Sequence, residues 1–311
     1  MTPLKRFYNL LKLDKRDVSQ IIIYAAFSGL ISLSLPLGIQ AIVNFIQGGQ
    51  ISVSWKVLIL IVTMGVALVG ILTLMQLRIT ENLQQKIFIR SSFEFAYRLP
   101  KISFNAIHDK YPPEIANRFF DTLAIQKGTS KLLLDFTTAL LQVGLGLVLL
   151  SLYHPFFILF GIVLLIILYV IFKFSFDEGL YTSLKESTFK YKVVYWLQEI
   201  ARNRNSFINK NNFNYALSKN DLLVNNYIQF REKHFNVIQR QFSQLILYKV
   251  FITAGLLLVG GYLVLDQKMN IGQFVAAEII ILLIINSIEK LIVGLETLYD
   301  VLTAVEKIGL V

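Results

Sequence analysis

The sequence predicts an all-α membrane protein with six transmembrane helices and two long helical hairpins that project from one face. Three observations carry this prediction. The chain is 55% hydrophobic, with only 16% charged residues, which is too apolar for a solvated globular surface. Its charges are clustered between apolar runs long enough to cross a ~30 Å hydrocarbon core. The gaps between those runs alternate long and short, so that every long gap falls on the same side of a membrane.

Taken in order, residues 1–18 form a basic N-terminal segment with Lys5, Arg6, Lys12, Lys15 and Arg16. The first span covers about 19–46. It is longer than the ~7–15-residue apolar region of a signal peptide, and no A-x-A-like cleavage site follows it. A short outer turn leads to the second span, 55–77. The first long gap, Arg78 to Asp135, opens with a stretch free of Gly and Pro from Ile79 to Leu99. Its apolar positions keep an approximate three-to-four spacing, so it reads as a helical extension that Pro100 ends. Pro113 then suits the first position of a short helix reaching Asp121, and a further helix runs from Thr122 into the third span, 132–153.

The fourth span, 155–176, follows a tight turn. The second long gap, Lys173 to Lys249, reads as a helix to Arg202, a polar turn-rich patch through Asn212, and a helix from Asn220 onward. The fifth and sixth spans are 246–266 and 271–293. At ~1.5 Å per residue, the extensions make stalks of about 30 Å.

Charge placement sets the orientation. Of the 30 Lys and Arg, only Lys56 and Lys268 fall on the short-loop side. Both termini and both stalks are therefore expected in the cytoplasm. The same placement makes the formal charge of +10 a signal of orientation and anionic lipid rather than of nucleic acid. With no Cys there is no disulfide and no thiolate chemistry, and His108, His154 and His234 have no metal-ligand spacing. No catalytic motif and no cofactor site is expected in this chain.

Several segments together carry a family resemblance: Leu35-Pro-Leu-Gly-Ile-Gln-Ala-Ile-Val-Asn-Phe45, Arg98-Leu-Pro-Lys-Ile-Ser-Phe104 followed by Pro113-Glu-Ile-Ala-Asn-Arg-Phe-Phe-Asp121, Tyr153-His-Pro155, Leu197-Gln-Glu199 and Ile271-Gly-Gln-Phe-Val-Ala-Ala277. In order and spacing the chain resembles the transmembrane domain of type I ABC exporters, and Tyr153-His-Pro155 resembles the bacteriocin and toxin exporter branch. Pro113 and Asn203 stand where that family usually has Gly, and its usual mid-span Pro is missing from the sixth span.

The resemblance implies an ATP-driven export domain in a bacterial inner membrane. It would work as a homodimer, with peptide or protein as cargo and a periplasmic adaptor as a further partner. Lipid or drug export, or a regulator or scaffold without an ATPase, is the alternative. No G-x-x-x-x-G-K-[ST] occurs, so ATP and Mg are expected on a nucleotide-binding domain absent from this sequence. That domain is expected beyond Glu306-Lys-Ile308, fused or on a separate chain.

By the same resemblance the hairpin tips would be coupling helices docking on that domain. The first tip carries Pro113, Glu114, Asn117, Arg118, Phe119 and Asp121, and the second, near 207–217, carries Phe207, Asn211 and Phe213. Arg118 and Asp121 are three apart and could pair. Phe119, Phe120 and Phe213 could fill a partner's pocket or pack on their own stalks. Gln40, Asn44, Glu278 and Asn286 are candidate lining for a translocation path. Glu278 falls about seven residues inside the sixth span, where an ionised carboxylate must face a cavity or a partner, Gln40 and Asn44 being at hand. Gly144, Gly146, Gly255, Gly260 and Gly261 are expected at close helix contacts.

Overall fold

The computed structural model describes residues 2–49, 53–102 and 112–309, the side chains of 112–114 excepted. The helices are α1 (Pro3–Leu13), α2 (Lys15–Ser32), α3 (Ser34–Gln47), α4 (Val53–Arg98), α5 (Pro112–Asn117), α6 (Asp121–Tyr153), α7 (Phe156–Arg202), α8 (Lys210–Leu265) and α9 (Ile271–Ile308). Single turns of 3-10 helix follow α4, α5 and α7. Among the described residues, six helical segments are long and apolar enough to cross a membrane, with α2 and α3 together forming the first.

The first span is broken, which hydropathy does not reveal. Pro36 has no amide hydrogen for the bond that would close α2 onto α3, and its ring crowds the preceding turn, so the helix divides at Leu33. The other five run without interruption from span to stalk. At 1.5 Å per residue, the 46 residues of α4 extend roughly 70 Å and the 56 residues of α8 roughly 85 Å. A hydrocarbon core of ~30 Å takes up less than half of each, and the rest projects as stalk.

The polar patch before α8 is shorter than the sequence predicts. Asn209 takes an extended N-cap conformation and the helix starts at Lys210, ten residues ahead of Asn220. Asn211, Asn212 and Asn214 are weak helix formers. Burial of Ala216 beside Trp196 holds this first turn in place, and Trp196 Nε1 donates to the Ala216 carbonyl over 3.1 Å. At its other end the chain enters α9 through a capping box. Asn270 Oδ1 accepts from the Gln273 amide at 2.7 Å, and Gln273 Oε1 accepts from the Asn270 amide at 2.9 Å.

Two apolar clusters hold the bundle. Toward the short loops, α6, α7, α8 and α9 interlock through Leu150, Phe157, Leu245, Ile252, Ile280 and Ile284. Toward the stalks, α2, α4, α6 and α9 meet at Ile21, Leu83, Ile125, Leu132, Val301 and Val305, with Phe7, Leu10 and Leu11 of α1 packed against them. Gly146, Gly255 and Gly260 sit at helix contacts as predicted, against Ile284, Phe160 and Phe274. Gly144 and Gly261 do not, because no heavy atom lies within 4 Å of where a Cβ would stand.

Candidate functional site

α9 is the most enclosed of the spanning helices, with Ile280, Ile281, Ile284, Ile288, Leu295 and Tyr299 all essentially inaccessible. Its one open face carries the polar residues. At 100° per residue, Glu278, Leu282, Asn286, Glu289, Val293, Glu296 and Asp300 fall within an arc of about 80°. Leu282, Asn286, Val293 and Asp300 are exposed, and Glu278, Glu289 and Glu296 are half-buried. Four carboxylates thus stand on one line running from the short-loop end to the stalk end.

Only one of the four is paired. Glu289 accepts from Lys249 of α8. Among the described residues, no hydrogen bond or ion pair within 4 Å reaches Glu278, Glu296 or Asp300. Gln40 and Asn44, offered by the sequence as partners for Glu278, are engaged elsewhere. Gln40 Oε1 accepts from Tyr153 Oη at 2.7 Å, and Asn44 abuts Gly272, where a Cβ would stand 2.3 Å from its Oδ1. Asn286 lies on the open face, whereas Gln40 and Asn44 fasten α3 to α6 and α9.

Asp300 lies seven residues beyond the sixth span, at the stalk end. It borders two cavities, one of about 210 Å³ toward α7 and one of about 350 Å³ toward α6. One edge of the side chain is open to them while protein crowds the rest. That desolvation first, then the charges of Glu296 and Glu186, push its carboxyl up to about 6, against the pull of Arg231 and Lys190.

A polar seam joins the α7–α8 hairpin to α6 and α9 beside these cavities. Tyr191 Oη donates to Asp121 at 2.6 Å and Lys190 bridges the same carboxylate at 3.6 Å. Asp121 therefore turns to α7, and no ion pair joins it to Arg118. Ser183 and Thr303 share a hydrogen bond at 2.8 Å, and Lys307 donates to Thr188 at 2.9 Å. Gln241 donates to Tyr299 Oη, which donates to the Ser175 carbonyl at 3.2 Å.

The first hairpin tip is partly outside the described residues. Residues 103–111 and the side chains of Pro113 and Glu114 fall there, while the backbone of both belongs to α5. Asn117 follows in α5 and Arg118 opens the 3-10 turn before α6. Phe119 packs edge-to-face on Phe88 and Phe95 of its own stalk, at 5.4 and 5.5 Å, while Phe120 is 66% exposed. At the second tip Phe207 sits against Trp196 at 5.7 Å, and Asn211 and Phe213 lie exposed on the first turns of α8. Tyr215 and Lys219 also flank Trp196, whose role the sequence reading missed. A Trp in a polar gap, one of two in the chain, is the signal the sequence carries. Phe213 and Leu217, four apart on the other face of α8, are exposed, as are Ile208 and Tyr215.

Five long helices run unbroken from span to stalk, with the stalks on one side. The family described as the ABC transporter transmembrane region matches residues 18–180. The chain belongs to this family. Among solved structures, a bacterial Atm1-family ABC exporter with ATP bound matches this ABC transporter domain with a TM-score of 0.73 at 13% identity. The match covers 95% of this chain and 52% of that one, so the chain spans about half the length of that exporter and shares its fold. No curated protein sequence matches the chain.

Proposed function

We propose that this ABC transporter domain is the membrane-spanning part of an ATP-driven exporter. In this reading, two copies form an alternating-access path in a bacterial inner membrane, with both termini and both stalks cytoplasmic. The observation that carries it is the open face of α9, which holds Glu278, Asn286, Glu289, Glu296 and Asp300 in line on an otherwise enclosed helix. Glu278 and Glu289 fall within the span, where ionisable groups are costly unless they meet water, cargo or a partner. The stalks transmit motion because each is continuous with a span, and the exposed Phe213 and Leu217, four apart on one face of α8, suit docking on an ATP-binding domain that holds ATP and Mg. Peptide or protein is the cargo supported by Tyr153-His-Pro155, and a periplasmic adaptor would complete the route.

The chain has no Cys, so a single Phe213→Cys provides a clean cross-linking handle. In the full-length protein reconstituted in nanodiscs, this thiol is expected to cross-link to the ATP-binding domain. Phe213→Asp is expected to abolish cargo-stimulated ATP hydrolysis while the protein stays folded. Undiminished stimulation in Phe213→Asp would refute the assigned docking surface, and an absence of any ATP-driven transport would refute the exporter reading. Glu278→Gln tests the path itself, since unchanged transport of every accepted cargo removes Glu278 from it.

A further inference from the structure

The apolar face of α1 is wider than the protein that covers it. At 100° per residue, Phe7, Leu10 and Leu11 occupy an arc of about 100° and pack on the apolar cluster of α2, α4, α6 and α9. The next 100° or so carries Leu4, Tyr8, Lys12 and Lys5, in that order round the helix. All four are exposed, Leu4 by 46% and Tyr8 by 67%. Two apolar side chains thus extend the packed face into the open, and two lysines border them.

The cations around α1 are in excess. Asp14 is answered by Arg90, Asp17 by Lys86, and Glu306 by Arg6 at 3.6 Å. Lys5, Lys12, Lys15 and Arg16 are exposed, and among the described residues they make no hydrogen bond and no ion pair within 4 Å. With those acids already taken, the positive charge of α1 and of the first turn of α2 is left unanswered.

The fold sets how α1 lies. Near one end Arg6 meets Glu306 of α9, and just past the other end Asp14 meets Arg90 of α4. Glu306 and Arg90 each fall thirteen residues past the ends of their spans, at 293 and 77, so the two ends of α1 stand at one depth. The helix therefore runs across the stalks, parallel to the membrane plane. Arg6 points to the last turn of α9, on the side away from the bilayer, and its guanidinium lies where a Cβ on Gly309 would stand. Leu4 and Tyr8 lie about 160° round the helix from Arg6 and so turn back toward the bilayer. Thirteen residues measure about 20 Å. Side chains reaching ~6 Å and a head-group layer of ~5–8 Å leave a gap of about one Debye length, across which an anionic leaflet attracts basic residues. Lys15 and Arg16 stand three to four residues before the first span, about 6 Å from it, and so within the head-group layer.

We propose that α1 and the first turn of α2 form a docking surface for anionic phospholipid in the leaflet on the stalk side. Lys5, Lys12, Lys15 and Arg16 meet the head-group phosphates, and Leu4 and Tyr8 give the helix an apolar edge toward the bilayer, the division of residues that seats a helix on a lipid surface. The proposal goes beyond the exporter reading and needs neither ATP nor cargo.

The test is hydrogen–deuterium exchange of the full-length protein in nanodiscs, read on the amides of α1. Discs of phosphatidylcholine alone are compared with discs of phosphatidylcholine and phosphatidylglycerol in equal parts. The α1 amides should exchange about tenfold more slowly in the anionic discs. Salt at about 1 M, where the Debye length falls to ~3 Å, should remove the difference. Replacing Lys5, Lys12, Lys15 and Arg16 together by Gln should also remove it, with exchange in α6 and α9 unchanged because none of the four has a partner to lose. Leu4→Ser combined with Tyr8→Ser should reduce it about threefold. Lys192→Gln, far along the stalk, should leave it as it is.

Equal exchange in the two kinds of disc, or a full difference in the fourfold Gln variant, overturns the proposal. So does slow exchange in both that ignores salt, which marks a protein partner on this face, or the same slowing by inorganic phosphate in phosphatidylcholine discs, which marks a free-anion site. The wild-type comparison stands even where a variant does not fold. A protein that shows the lipid effect and never transports loses only the exporter reading.

Discussion

Gly179→Ala should be among the most damaging single-methyl additions in the chain. A Cβ on Gly179 would stand 2.4 to 2.7 Å from three atoms of the Tyr299 ring and hydroxyl, well inside any tolerated contact. The ring cannot swing clear. Tyr299 is wholly inaccessible, and its hydroxyl is pinned by Gln241 at 2.9 Å and the Ser175 carbonyl at 3.2 Å. Restoring ordinary separation needs a shift of about 1 Å, which takes both bonds beyond hydrogen-bond length. Overpacking costs ~1–3 kcal/mol, and each buried polar group left unsatisfied costs ~1–3 kcal/mol, giving roughly 3–5 kcal/mol in all. The assay is thermal unfolding in detergent beside Gly144→Ala and Gly261→Ala. These make the same substitution where no atom lies within 4 Å, and the better helix propensity of Ala should leave them neutral or slightly stabilised. Gly179→Ala should unfold at least several degrees lower than either control. If all three melt together, the close approach of α7 to α9 is not a feature of the folded protein.

Two further predictions concern the stalk end. Arg90 grips the buried Asp14 carboxylate with two hydrogen bonds of 3.0 Å, so Arg90→Gln should destabilise by about 1–2 kcal/mol, the exposure of the arginine having been allowed for. A double-mutant cycle with Asp14→Asn in denaturant should show the two effects to be strongly non-additive, whereas simple additivity would dissolve the pair. His234, in the stalk part of α8, is held below its usual 6.5 chiefly by burial, its Nδ1 lying 2.9 Å from Thr182 Oγ1. The unfolded chain therefore takes the proton first, and this residue's share of stability is complete above about 6.5 and is lost as pH falls through that value. Asp300, raised to about 6, acts in the opposite sense, because the folded chain takes its proton first between its usual 3.8 and 6. Comparing wild type with His234→Phe between pH 7.5 and 5.5 isolates the histidine, and identical slopes would contradict the buried neutral imidazole.

The span pattern was legible because apolar runs and charge gaps report directly on what lipid tolerates. What hydropathy does not see is backbone hydrogen bonding. Pro36 lies inside an unbroken apolar run, so the run reads as one helix although its backbone cannot form one. Tertiary packing was equally invisible at the second tip. There the Asn-rich sequence argues for turns, yet contact with Trp196 makes helix from Lys210 onward. The individual acids are visible in the sequence, and Glu278 is conspicuous for its apolar surroundings. Asp300 is inconspicuous because it lies beyond the apolar run of the sixth span, where charged residues are ordinary. Its isolation is a matter of which neighbours already have partners, and that appears only once α6, α7, α8 and α9 are assembled. The same limit explains Gly144 and Gly261, whose small size implies packing, though the neighbouring helices lie elsewhere.

The two ends of the bundle are built from different materials, and this bears on where it can move. Toward the short loops, α7 and α8 meet α6 and α9 through interlocked Leu, Ile and Phe side chains. Separating such a surface exposes each side chain and leaves voids, and close-packed interiors resist sliding for that reason. Toward the stalks, the same helices meet through Asp121 with Tyr191 and Lys190, Ser183 with Thr303, and Lys307 with Thr188. Polar partners of this kind exchange a protein hydrogen bond for one to water at a net cost of only ~0.5–1.5 kcal/mol each, and slightly more where a charge is involved. The firm part reaches as far as Tyr299, which is wholly buried against Gly179 and bonded to Gln241 and Ser175, and the hairpin pivots about it where the contacts beyond are light. Asp300 borders the light seam, so opening it would widen the cavity toward α7 and leave the apolar cluster of α6 to α9 intact.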